Sequence, residues 1–277
     1  MFEGGQEPAQ GKKGFDSLMT YTYEKYLQKD QPLPYVFEVK NGEKKLVYFG
    51  AKHFYDPEDE QVEEVSRAWE DFLKRTAGQD ALVLVEGGTR DVAINEVTAI
   101  ERDGEAGLIS YLAAQAGVSV ESPEPPKSYE IDELLKSFKK EEILYYYFAR
   151  AVAQWHRTDK SVDWESYIRQ ILSDEARGLG YQSDFLGVIS EIHHRIFSAK
   201  LDVNDEDHFN QAEDPTVITS VSSEVARATS ILRDQYILGE VEKKWKEGKS
   251  LFVVYGGTHA VMQEPALRAL LEQNNLH

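Results

Sequence analysis

The chain contains no cysteine. Disulfides, thiol catalysis, thiolate zinc sites and iron–sulfur clusters are therefore excluded, and a reducing cytoplasmic location is expected. Long apolar runs are missing as well. No stretch approaches the roughly 18 consecutive apolar residues of a membrane-spanning helix, so no membrane partner is expected. Positive charge is in short supply: 31 Lys and Arg stand against 49 Asp and Glu, a formal net charge of -18. A surface that acidic repels phosphate backbones and anionic lipid, which argues against nucleic acid as a partner. Residues 1–14 are polar and lack an apolar core, and are read as a flexible tail, not a signal peptide.

What remains is a chain of 277 residues, 41% hydrophobic, long enough for one sizeable core with an inserted subdomain. A helix is expected over 16–29. Residues 33–39 and 45–49 (KLVYF) read as two strands joined by the Asn41-Gly42 turn signal. A helix follows, with Asp56 as N-cap, Pro57 in the first turn, an apolar stripe of Val62, Val65, Trp69, Phe72 and Leu73, and Gly78 as the stop. The run ALVLV, 81–85, reads as a buried strand. Helical segments are expected from Val92 and again from Glu105 to Ala116, then a strand over 118–121. Strand, helix, strand, helix, strand predicts a parallel sheet with helical crossovers.

PEPP at 123–126 interrupts that alternation. From Tyr129 to about Lys200 only helical periodicity is visible; a loop is expected through the acidic run 204–207 as far as Pro215. A long helix then covers about 222–246, LFVVY (251–255) forms the last strand, and the last helix starts at Pro265. The expected architecture is an α/β core of 15–128 and 216–277, its mainly parallel sheet flanked by helices. A helical insertion, 129–215, would form a cap over the strand ends.

Three apolar strands end alike. KLVYF runs into Gly50-Ala51-Lys52-His53, LFVVY into Gly256-Gly257-Thr258-His259, and ALVLV into Glu86-Gly87-Gly88-Thr89-Arg90. In an open parallel sheet, ligands bind beyond the carboxyl ends of the strands. Two imidazoles and a carboxylate meeting there make a set suited to a divalent metal, and Arg90 would steady a developing anion. Glycine makes up about 7% of ordinary sequence. Seven histidines would thus produce about half a chance case of glycine three residues earlier; there are two, each directly after an apolar run.

These motifs, GAKH, EGGTR and GGTH in that order, resemble the TraB/Tiki superfamily and its broader erythromycin esterase-like and ChaN-like group. The resemblance covers about residues 44–122 and 222–272. It adds two positions: Arg233-Asp234, where relatives carry Arg-Asn, and Glu105 in the second crossover helix. It implies a metal-dependent, metalloprotease-like or esterase-like hydrolase. His53, Glu86 and His259 would hold the divalent ion (Mn, Co, Zn or Fe are not distinguished). Glu105 would act as general base, and Arg90 and Arg233 would stabilise the tetrahedral anion of a peptide or small-molecule substrate.

Two alternatives stay open: a metal-free esterase using His53 or His259 as base, and a non-catalytic protein holding a small anion or a haem in the same cleft. The remaining histidines have plainer readings. Adjacent residues of one helix, His193 and His194 cannot readily share a metal. His156 is expected to meet last-turn carbonyls, and His208 to sit in a solvated loop. Tyr145, Tyr146, Tyr147 and Phe148 are expected to pack a helical core.

Overall fold

A computed structural model describes residues 32–182 and 185–272. The tail expected over 1–14 and the helix over 16–29 lie outside the described residues. Five strands form one sheet in the order β1-β2-β5-β3-β4, with β1 Tyr35–Asn41, β2 Lys44–Ala51, β3 Ala81–Val85, β4 Ser119–Glu121 and β5 Ser250–Gly256. The β1–β2 pair is an antiparallel hairpin; its turn uses Gly42 at φ +60, as the Asn-Gly signal predicts. The β2–β5, β5–β3 and β3–β4 pairs are parallel. The fold is thus α/β around a mixed, mainly parallel sheet, and the three strands carrying the motifs are neighbours with β5 between the other two.

Nine helices occur among the described residues: α1 Glu60–Arg75, α2 Glu96–Gln115, α3 Lys127–Leu134, α4 Lys140–His156, α5 Trp164–Gly178, α6 Phe185–Phe197, α7 Glu206–Glu213, α8 Val221–Lys246 and α9 Gly257–Glu272. The central strands are continuously apolar because both faces are covered. Val47, Phe49, Val83, Val85, Phe252 and Val254 pack with Trp69 and Phe72 of α1 and Leu108 and Ile109 of α2. The alternate residues Leu46, Tyr48, Leu82, Leu84, Leu251, Val253 and Tyr255 pack with Ile237, Val241 and Trp245 of α8 and Leu267 and Leu271 of α9.

The chain divides into two compact units, Met1–Glu124 with Asp234–His277, and Pro125–Arg233. The first holds the sheet. The second is helical among its described residues and has its own core, in which Tyr145, Phe148 and Val152 of α4 meet Ile168, Ile189 and Phe209. This unit extends past the expected bound at 215, because Val225 and Ala226 of α8 belong to its core.

Several local expectations are corrected. The α1 N-cap is Asp59, whose side chain accepts from the Gln61 N–H; Asp56 caps the preceding turn through the Glu58 N–H, at 2.9 Å. The acidic run 204–207 is not a loop but the start of α7. There Asp205 caps the His208 N–H at 3.1 Å and Phe209 and Ala212 are buried one turn apart. The last helix begins at Gly257, not Pro265, so Pro265 lies inside it and His259 in its first turn. His156 meets the carbonyl of Val203 at 2.8 Å and not a last-turn carbonyl.

Candidate functional site

Register brings the motifs together. Ala51 pairs with Gly256 and Val85 with Val254, and the Glu86 N–H continues the ladder to Val254 O at 3.1 Å. His53, Glu86 and His259 therefore leave adjacent strands at the same, carboxyl edge.

His53 follows β2 in a short loop. Its Nδ1 lies 2.5 Å from Glu105 Oε1, and the other Glu105 oxygen accepts from the Phe54 N–H at 3.4 Å. The Glu105 side chain is 6% exposed and that of His53 56%. A break in α2 puts Glu105 there. Gly104 has φ 60 and ψ -143 in the midst of the helix, and a Cβ on it would stand 2.5 Å from Phe54 O. Only glycine combines that backbone with that close approach. The break divides the element into two helical segments, as expected, with the second starting at Glu105; the first begins at Glu96, with Asn95 as its cap, and not at Val92.

Glu86 directly follows β3, and its Oε2 accepts the Gly256 N–H at 2.8 Å. His259 Nε2 lies 3.7 Å from the other oxygen, Oε1. The opposite ring nitrogen, His259 Nδ1, is 2.7 Å from Asp234 Oδ1. Asp234 is 1% exposed and also accepts from Gln263 Nε2 at 2.8 Å; Tyr48 donates its hydroxyl to Gln263 Oε1 at 3.0 Å. The His259 ring meets Tyr255 edge-on, with centroids 6.0 Å apart. The two imidazoles are thus built alike: each has a buried carboxylate at Nδ1. His53 Nε2 and Glu86 Oε2 both come close to the same point above Gly256, 3.0 and 3.5 Å from where its Cβ would be.

The other expected residues are Arg90, Glu105 and Arg233. Arg90 does not pair with the Glu86 carboxylate. Its guanidinium donates to the main-chain carbonyl of Glu86, to Gly88 O at 3.2 Å and to Asp103 O at 3.4 Å, while its Nε is buried without a partner. It braces the loop after β3 against the break in α2. Glu105, expected as the base for a water, has its two oxygens on His53 and the Phe54 N–H. Arg233 is the last residue of the helical unit, within electrostatic range of Arg150.

The sequence does not single out Gln263 and Tyr48, and marks Asp234 only as the position where relatives carry Asn, although a further signal is present. Asp234 falls in register with Ile237, Leu238, Val241 and Trp245 of α8, a carboxylate on an apolar stripe, and Gln263 lies one turn after His259. His193 and His208 belong to a separate cluster in the helical unit, where the Tyr145 hydroxyl lies 2.7 Å from His193 Nδ1 and 2.9 Å from His208 Nε2. Burial holds both imidazoles below the usual histidine range, with His208 and His194 adding to the effect on His193, and burial pushes the Tyr145 hydroxyl up. The solvated loop expected for His208 is corrected accordingly: its ring stacks edge-on against Phe197, at 4.5 Å.

His53, Glu86 and His259 are side chains of the types that could hold a divalent ion. Histidine ligands characteristically bind through one nitrogen while a carboxylate or carbonyl holds the other, and two ligands of one tetrahedral ion stand about 3.4 Å apart when each bond is about 2.1 Å, close to the His259–Glu86 separation. No group of three or more His, Asp and Glu side chains among the described residues is, however, already arranged around one ion position; the Gly256 N–H holds one Glu86 oxygen. No helix among the described residues is long and apolar enough to cross a membrane. The chain matches no characterised family, no curated protein and no solved structure.

Proposed function

We propose that the chain is a metal-dependent hydrolase of amide or ester bonds, with His53, Glu86 and His259 as protein ligands. The observation that carries this reading is the pairing of two imidazoles, each held at Nδ1 by a buried carboxylate, around a third carboxylate at the edge of three parallel strands. The resemblance to the TraB/Tiki group points the same way. When bound, a divalent ion would supply Lewis acidity and an activated water.

The residues divide the remaining tasks. Glu105 and Asp234 orient the two rings. The Gly256 N–H steadies Glu86 against rotation. Arg90 fixes the path of the loop that carries Glu86, and its tie to three carbonyls makes it a positioning residue and not a partner of the reacting anion. His53, the more exposed imidazole, is placed to exchange protons with solvent. That placement also favours a metal-free variant of the same hydrolysis, in which His53, backed by Glu105, removes the proton from the attacking water.

The test is elemental analysis of untagged protein purified without chelator, together with hydrolysis of a panel of esters and peptides. Stoichiometric metal that is lost in both His53→Ala and His259→Ala, and kept in His193→Ala, is the expected result. Hydrolysis without metal, abolished in His53→Ala, would select the metal-free variant. Neither metal nor turnover in the unaltered protein would overturn the proposal.

A further inference from the structure

We infer that Asp234, backed by Gln263 and Tyr48, is a positioning residue that locks His259 as its Nδ1–H tautomer and turns Nε2 toward Glu86. Tyr48 Oη is 3.0 Å from Gln263 Oε1, and Gln263 Nε2 is 2.8 Å from Asp234 Oδ1. Turning the amide over would set its oxygen against a carboxylate oxygen at that distance, so its NH2 faces Asp234. A carboxylate only accepts. Asp234 Oδ1 thus receives one N–H from Gln263, and the atom 2.7 Å away on its other side, His259 Nδ1, carries hydrogen as well.

In a neutral imidazole the hydrogen bond at one nitrogen settles which form the ring takes. Free in water the ring favours hydrogen on Nε2; here the buried carboxylate reverses that preference. The lone pair then sits on Nε2, the atom 3.7 Å from Glu86 Oε1. This is the form in which the ring can bind a cation or accept a proton at the strand edge. The device spans three elements of the sheet unit: Tyr48 from β2, Asp234 from α8, and Gln263 and His259 from α9. Its placement is economical in sequence, since His259 and Gln263 are one helical turn apart and share one oxygen of Asp234.

Only the use of Nε2 is taken from the proposed function; the tautomer is a property of the metal-free protein. The experiment is nitrogen-15 imidazole correlation spectroscopy on the metal-free full chain at mildly alkaline pH, for the unaltered protein, Asp234→Asn and Gln263→Met. In the unaltered protein His259 is expected to show hydrogen on Nδ1 and a bare Nε2. Asp234→Asn, whose amide can present either an oxygen or an NH2 to the ring, should shift His259 wholly or partly to the other tautomer and leave the His53 signals in place. Gln263→Met, which keeps the carboxylate and removes only one hydrogen bond to it, should retain hydrogen on Nδ1.

Hydrogen on Nε2 in the unaltered protein overturns the inference, as does an unmoved tautomer in Asp234→Asn; should that variant not fold, the unaltered protein and Gln263→Met still decide, since hydrogen on Nε2 in either overturns it. Zinc titration of the same samples separates the two claims. A loss of about 10–100-fold in affinity for Asp234→Asn is expected from removing a partner of this kind. If the unaltered protein binds no zinc yet shows the Nδ1–H form, the metal reading fails and the tautomer assignment stands. If zinc binds and the tautomer is insensitive to Asp234, the reverse holds.

Discussion

A methyl group on Gly256 would lie 3.0 Å from His53 Nε2 and 3.5 Å from Glu86 Oε2. The first distance is closer than side-chain carbons normally tolerate, so Gly256→Ala must push the His53 ring away from the strand edge. Overpacking of this kind costs about 1–3 kcal/mol, and the half-exposed ring can move into solvent. The expected outcome is a folded protein with a modestly lower thermal midpoint and a clear loss of zinc affinity, read by calorimetric titration; unchanged affinity would show that His53 need not stand over Gly256. Gly104 illustrates the same constraint from the opposite side, since its positive φ and its contact with Phe54 O are what bring Glu105 to His53. At this scale the histidines and Glu86 were legible because each follows an apolar run directly. The partners behind them were less so. Asp234 and His259 are 25 positions apart, and a hydrogen bond between them exists only once α8 and α9 lie on the same face of the sheet.

The helices of the second unit carry a titration that can be measured. His193 and His208 are held below the usual histidine range by burial. An unfolded chain takes up protons on these rings as pH falls through about 6.5, while the folded rings resist. The unfolded state thus gains relative to the folded one, and stability that is fully present above that pH is lost as pH drops toward the folded values. Thermal melts of the full chain are expected to show a falling midpoint between about pH 7 and pH 5, and a His193→Asn, His208→Gln double variant should lose much of that slope. A slope unchanged in the variant would assign it to other groups. The elements themselves were read unevenly. Apolar runs and the Asn-Gly turn marked β2, β3, β5 and the hairpin because burial on both faces leaves no polar alternation. The starts of α1 and α7 were missed because acidic residues serve equally as turn formers and as caps, and only tertiary burial of residues such as Phe209 decides between them. Pro265 offers a helix start in the sequence, whereas α9 already begins at Gly257.

On the scale of the whole molecule, the shared strand-end pattern predicts β2, β3 and β5 as parallel neighbours, as they are, but not the full order β1-β2-β5-β3-β4, because which strand lies between the other two depends on which edges pair and no local pattern encodes that. Its consequence concerns synthesis. The strand at the centre is the last of the five to be made, emerging after the entire helical unit, which separates β4 at Glu121 from β5 at Ser250. Until then β2 and β3 have no common neighbour; β2 offers an unpaired edge of Leu, Val, Tyr and Phe, and β3 one of Leu and Val, to any other chain. A nascent or truncated chain ending before Ser250 is expected to aggregate, measured by sedimentation of ribosome-released fragments, and a synthetic segment carrying β5 and α9 should rescue it if supplied during refolding. Closing a loop this long before any central pairing is rewarded also makes the sheet slow to assemble. The same strand that sets Gly256 between His53 and Glu86 therefore times the birth of the site: His53, Glu86 and His259 cannot be brought together before the ribosome has delivered β5 and the start of α9.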